Sequence, residues 1–273
     1  MSRQNRRTFM QHASVAAVGV LASASAGPLA AIEHIARGFG SKFKFSLAAY
    51  SYRDLLTGKT PKMSLEDFIS DCAAMGLEGT ELTGYYFPAE PSSEYLNKLK
   101  QHCFRLGLDI SGTAVGNDFC HPAGPERDKQ IKYVKTWIDR AAQLGAPVIR
   151  IFSGQPHGQS KDDAQKLAIA AIEECCQYAG EHGVYLALEN HGGLTAEVDD
   201  MLAIVKGVQS PWFGVNLDTG NFHSADLYGD LAKVAPYAVN VQVKVVVSGP
   251  SGKKEPSDFA RLAEILKSSG YRG

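Results

Sequence analysis

Three residues stand where a metal site would need them: Glu189, Asp218 and Gln242. Each closes or sits within a short apolar run, and the spacings are 29 and 24 residues. One strand plus one helix has about that length, so the three side chains are expected to converge on one mouth. Two carboxylates and an amide oxygen make a hard donor set. Such a set suits one divalent ion, Mn2+ or Mg2+ before Co2+ or Zn2+. A single acid at a strand end more often caps the next helix. That is a serious rival for Asp218 alone, in Leu-Asp-Thr-Gly-Asn, and a weaker one for all three together. Other polar residues fall at corresponding places. Glu81, His121, His191, Asn221 and His223 are candidate substrate contacts, and Lys244 follows Gln242 by two residues. Arg150 and His157 carry weaker signals, with strand-end pairing and plain surface as alternatives. Tyr85, Tyr86 and Phe87 form either an aromatic wall of the site or ordinary packing.

Seven apolar runs must position these groups: 43–50, 77–82, 108–114, 147–152, 184–189, 213–218 and 239–247. Helical patterns alternate with them at 65–75, 93–106, 128–144, 162–182, 196–208, 225–235 and 257–269. Ser64 with Asp67 three residues on reads as a helix start. Gly76, Gly107, Gly145 and Gly183 each follow a helical stretch, where a left-handed cap is expected. The repetition predicts a βα array, either a closed (β/α)8 TIM barrel or an open doubly wound sheet. The first run lacks a Gly-x-Gly-x-x-Gly turn, which disfavours a dinucleotide-binding sheet. Polar residues at one end of nearly every run favour the barrel. No eighth run precedes Gly273, so a barrel lacking its last strand, shortened at the C-terminus, is expected.

The chain has 273 residues, a net charge of -1 and 44% hydrophobic residues, which suits a globular domain without a basic face for nucleic acid. The five cysteines show no metal-type spacing and read as small buried hydrophobes. Cys120 alone falls in a predicted loop. Residues 1–26 read Asn-Arg-Arg-Thr-Phe-Met, an apolar stretch and small residues, the order of a twin-arginine-type export signal. The expected organisation is a signal at 1–26, a linker at 27–42 and a barrel at 43–273. The protein would be exported, periplasmic or extracellular, without stable membrane insertion. A homo-oligomer is compatible with this sequence.

Three segments resemble a known family: Tyr185-Leu-Ala-Leu-Glu189-Asn-His191, Phe213-Gly-Val-Asn-Leu-Asp218-Thr-Gly-Asn221 and Val239-Asn-Val-Gln242-Val-Lys244. They are similar to the xylose-isomerase-like barrels of sugar phosphate isomerases and epimerases. The resemblance implies that Glu189 and Asp218 bind the metal and that Glu189 also serves as a catalytic base. Gln242 stands where that family usually has histidine, and the family's fourth ligand would lie on an eighth strand. Lys244 matches a lysine that would steady a developing oxyanion, and Asn221 stands where many relatives carry a substrate-facing histidine.

The chemistry so implied is proton movement beside a sugar carbonyl, assisted by the ion. A proton returned to the neighbouring carbon gives isomerisation, and one returned to the opposite face gives epimerisation. Loss of a β-substituent gives a lyase. The leading expectation is an isomerase or epimerase acting on a small unphosphorylated sugar or polyol ketone. A lyase or dehydratase on keto-sugars or inososes, and a non-catalytic sugar-binding barrel, are the alternatives. A nuclease of the endonuclease IV type ranks lower, because histidines are few and the charge is near neutral.

Overall fold

The computed structural model describes residues 32–35 and 37–273. The segment read as an export signal, 1–26, and the first part of the 27–42 linker lie outside the described residues.

Seven strands form one parallel sheet in chain order: β1 (Ser46–Ala48), β2 (Gly79–Glu81), β3 (Asp109–Ala114), β4 (Val148–Ile151), β5 (Tyr185–Glu189), β6 (Phe213–Asp218) and β7 (Ala238–Gln242). A major helix follows each: α1 (Leu65–Ala74), α2 (Ser93–Arg105), α3 (Pro125–Leu144), α4 (Lys161–Glu181), α5 (Val198–Gly207), α6 (Leu227–Val234) and α7 (Phe259–Ser268). Sequential order with parallel pairing throughout curls the sheet toward a TIM barrel, as expected. Apart from the seventh run, the expected runs and helices correspond to these elements within a few residues.

Local chemistry sets the helix ends. Ser64 Oγ accepts from the Asp67 N–H at 3.1 Å, and Asp67 Oδ2 accepts from the Ser64 N–H at 3.0 Å, a reciprocal cap on α1. Pro125 opens α3 three residues before the expected start, a position where its missing N–H costs nothing. Gly145 closes α3 with φ 79°, and Gly76, Gly107 and Gly183 repeat the device. Along α3, Ile131, Val134, Trp137, Ile138, Ala141 and Leu144 recur at helical spacing and are buried against the sheet. The large ones each contribute about 1.5–3 kcal/mol through that burial. All five cysteines are buried thiols.

The seventh run departs from expectation. Residues 239–247 do not form one strand: β7 ends at Gln242, and Val246–Ser248 (β8) pairs antiparallel with Lys254–Pro256 (β9). Lys244 therefore lies in the link, not inside a barrel strand. Its N–H donates to Thr219 Oγ1 at 2.9 Å, which draws the backbone away from the ladder. The hairpin turns through Ser-Gly-Pro-Ser-Gly, where Gly252 takes φ 73° and donates to Gly249 O at 2.9 Å.

Among the described residues no strand pairs β7 with β1. The last residues lie along the free edge beside β1: Lys42 and Arg272 form a parallel bridge, and the Gly273 N–H donates to Lys42 O at 3.0 Å. A cavity of about 1040 Å³ runs through the interior and this seam, lined among others by Leu47, Glu81, Gln242, Lys244, Leu262 and Tyr271.

Candidate active site at the carboxyl ends of the strands

Parallel register fixes the site from the backbone outward. Asp218 is the Cα partner of Gln242, and Glu189 is the partner of Asn216, two residues below Asp218. Residues two apart on a strand share a face, so Glu189, Asp218 and Gln242 belong to one side of the sheet in adjacent layers. Glu189 is 2% exposed and Asp218 is fully buried.

Buried charge demands partners, and each carboxylate has a cation. Arg150, on β4, places Nε 2.7 Å from Glu189 Oε2. Asn221 Nδ2 donates to Glu189 Oε1 at 3.0 Å. Lys244 Nζ lies 2.8 Å from Asp218 Oδ2, and Asp218 Oδ1 accepts from the Gly220 N–H at 2.9 Å. Arg150 is itself held: both terminal nitrogens donate to Tyr85 Oη at 3.1 Å, and Nη1 donates to Val115 O at 2.6 Å. Its guanidinium also covers the Phe152 ring at 4.1 Å.

The electrostatics follow from burial. Desolvation pushes the Glu189 carboxyl up to about 7, with Arg150 opposing the shift and Asp218 adding to it. Burial likewise raises Glu81, against the pull of Thr83, Arg150 and Lys244, and Thr83 Oγ1 donates to Glu81 Oε1 at 2.7 Å. His191 is shifted down by burial first and by Arg150 second, and its ring packs on Phe152 at 4.5 Å.

The donor set can be weighed against a divalent ion. Asp218 Oδ2 is a buried oxygen without a hydrogen bond, offset only by the Lys244 charge, and its strand neighbour is Gln242. These oxygens suit a hard cation. Glu189 would join them only by giving up Arg150 or Asn221, since both its oxygens are engaged.

The expected contacts divide. Glu81, Asp218, Asn221 and Lys244 come together with Arg150 around Glu189, with His191 at the edge. Asn221 serves as a partner of Glu189. His223 is exposed, with Nδ1 3.3 Å from Ser248 O on the hairpin, outside this layer. His121 stacks on His157 at 4.4 Å in the loops after β3 and β4. Of the aromatic trio, Tyr85 reaches the site through Arg150, whereas Phe87 packs edge-on against Trp137 at 5.3 Å. Cys120 is buried, its Sγ 3.3 Å from Ser153 O. Arg150 is the central residue that sequence reasoning underweighted: a lone arginine in an apolar strand signals a buried partner, without saying which one.

Comparison with known proteins supports the fold. Over 118 residues the chain is 28% identical to a probable endonuclease 4 of Methanoculleus marisnigri, covering 39% of this chain and 42% of that protein. The chain thus spans less than half the length of that relative. It is 24% identical over 203 residues to a 3-oxo-isoapionate decarboxylase of Pectobacterium atrosepticum, covering 72% of this chain and 67% of that one. The crystal structure of D-psicose 3-epimerase from Clostridium cellulolyticum superposes with a TM-score of 0.69 at 18% identity, covering 84% of this chain and 82% of the other. The sequence pattern of one family matches residues 69–273. This chain belongs to the xylose isomerase-like TIM barrel family.

Proposed function

We propose that the protein is a divalent-metal-dependent isomerase or epimerase of a small unphosphorylated sugar or polyol ketone. The observation that carries this reading is the buried layer in which Glu189 and Asp218 face Arg150 and Lys244, with Asp218 Oδ2 free of hydrogen bonds. Glu189, Asp218 and Gln242 would hold the ion, which supplies Lewis-acid polarisation of a carbonyl and its neighbouring hydroxyl.

The remaining work belongs to the side chains. Glu189, whose carboxyl burial raises to about 7 in the metal-free protein, takes the proton from the carbon beside the carbonyl. Arg150 and Asn221 hold that carboxylate in the metal-free protein, and the one left in place beside the ion would keep it oriented. Lys244 offers a positive charge to the oxygen on which negative charge develops. Glu81, shifted toward its protonated form, and His191 contact substrate hydroxyls. Return of the proton to the adjacent carbon isomerises the sugar, and return to the other face epimerises it.

Named relatives support sugar chemistry, because a D-psicose 3-epimerase shares the fold. The decarboxylase relative, matched over 72% of this chain, favours a second reading in which the same enolate chemistry ends in loss of a fragment. Export through a twin-arginine-type signal belongs to the proposal and rests on residues 1–26 alone.

The test follows solvent deuterium entering the carbon beside the carbonyl, by NMR, across a panel of ketoses and keto-sugars with Mn2+ supplied. Glu189→Gln is expected to slow exchange by about 10²–10⁴-fold. An unchanged rate would remove Glu189 as the base. Product mass separates the readings, since isomerisation conserves it and a lyase does not.

A further inference from the structure

We propose that Asp118, His121 and His157 form a second divalent-metal site, chemically distinct from the carboxylate layer and selective for a borderline ion of the zinc class. One carboxylate oxygen and one ring nitrogen from each histidine all lie within 4.8 Å of one another. Two imidazoles with one carboxylate favour zinc, cobalt or nickel over magnesium or calcium. The oxygen-rich set of Glu189, Asp218 and Gln242 has the opposite preference. The two sites share no residue.

The ligands come from two loops, 115–124 after β3 and 152–160 after β4, at the carboxyl ends of the strands, as Glu189 is on β5. Both loops are tied together around them. Asn117 Nδ2 donates to Phe152 O at 2.8 Å, and the Phe152 N–H returns a bond to Asn117 Oδ1 at 2.9 Å. The Phe119 N–H donates to Ser153 O at 3.0 Å, and Gln159 Nε2 donates to Cys120 O at 2.9 Å. Asp118 is held by its own surroundings: Oδ1 accepts from the Cys120 N–H at 3.0 Å, and Oδ2 accepts from the Gln155 N–H at 3.4 Å.

Two backbone features bring the third ligand in. Gly154 has φ 108°, and a Cβ there would fall 2.0 Å from Asp118 Oδ1. His157 has φ 50°, the single non-glycine residue with positive φ among the described residues. That conformation is disfavoured for an L-residue. It delivers the His157 ring to Asp118, Nε2 to Oδ2 at 2.8 Å, and stacks it on His121. A tetrahedral ion bonded at about 2.0–2.1 Å separates its ligands by roughly 3.3 Å, so small side-chain rotations suffice to admit one. Three protein ligands leave a coordination position for water or a substrate oxygen at the barrel mouth.

The experiment is calorimetric titration of the full chain with zinc chloride, followed by the same titration of His157→Asn, His121→Gln and Asp218→Asn. Asparagine tolerates positive φ, so His157→Asn removes the imidazole and keeps the backbone path. Zinc affinity is expected to fall at least about tenfold in both histidine variants and to persist in Asp218→Asn. Zinc should also raise the melting temperature of the parent protein and of Asp218→Asn, but not of His157→Asn. Failure of the parent protein to bind zinc would overturn the site. So would undiminished affinity in the two histidine variants, or loss of zinc binding in Asp218→Asn with both histidines intact. A failure of the Glu189 exchange test would leave these zinc results unaffected.

Discussion

The carboxylate layer and the loop cluster gather similar chemical groups by opposite means. Glu189 and Asp218 sit on neighbouring strands whose ladder fixes their height and facing, and both are almost wholly buried. Asp118, His121 and His157 sit on two loops, and His157 is exposed. The layer meets its cost in desolvation: two acids are held out of water and each needs a cation. The cluster meets its cost in backbone conformation, at His157. Strand-borne groups thus answer to electrostatics, and loop-borne groups to local geometry.

The largest effect expected from this contrast is at Arg150. Arg150→Met strips the cation from buried Glu189, and loss of one partner of a buried pair costs about 3–5 kcal/mol. Urea unfolding should show that loss, and the Glu189 carboxyl should move further above its present value, because Arg150 holds it down. A variant as stable as the parent would break the electrostatic account of the layer.

A smaller change, confined to the other region, is expected from Gly154→Ala. The added methyl meets Asp118 Oδ1, and φ 108° is strained for alanine, for a cost of about 1–3 kcal/mol. Zinc binding should weaken, while Mn2+ binding at the layer is retained. Loss of both would show the two regions to be one unit.

The pH response sharpens the same division. In the metal-free protein Glu189 has its carboxyl raised to about 7 from an ordinary 4.5. The unfolded chain releases this proton first as pH rises, so the folded state binds more protons between those values. The stability due to this group is therefore full below about 4.5 and is lost as pH rises through about 7. Mn2+ held by Glu189, as proposed, would displace the same proton, so its affinity should fall as pH drops below about 7. Titrating Mn2+ binding by electron paramagnetic resonance across this range checks the sign, and a response that persists in Glu189→Gln would assign it elsewhere.

The smallest effect is expected far from both regions. Ser64→Ala removes the α1 cap and should cost about 1 kcal/mol in thermal unfolding, with neither metal affinity altered.

Legibility in the sequence followed the same line between strand and loop. Glu189, Asp218 and Gln242 could be grouped because a βα unit has a characteristic length and its strand ends share one mouth. Arg150 was visible as a misplaced charge in an apolar run, but its partner lies 39 residues on, on the next strand. Val239–Val247 read as one strand because β-branched residues continue through it, although the Ser-Gly-Pro-Ser-Gly stretch signalled a turn close by. Asp118 drew no attention, since a loop aspartate has no period to betray it.

By itself, then, the sequence determined the alternation of elements, the helix caps and the acids at the strand ends, all consequences of short-range backbone and burial preferences. Only the tertiary structure decided which cation faces which carboxylate, that Lys244 leaves the sheet, and that His157 meets Asp118 across two loops. Those pairings depend on distances between segments remote in the chain, which local preferences do not encode.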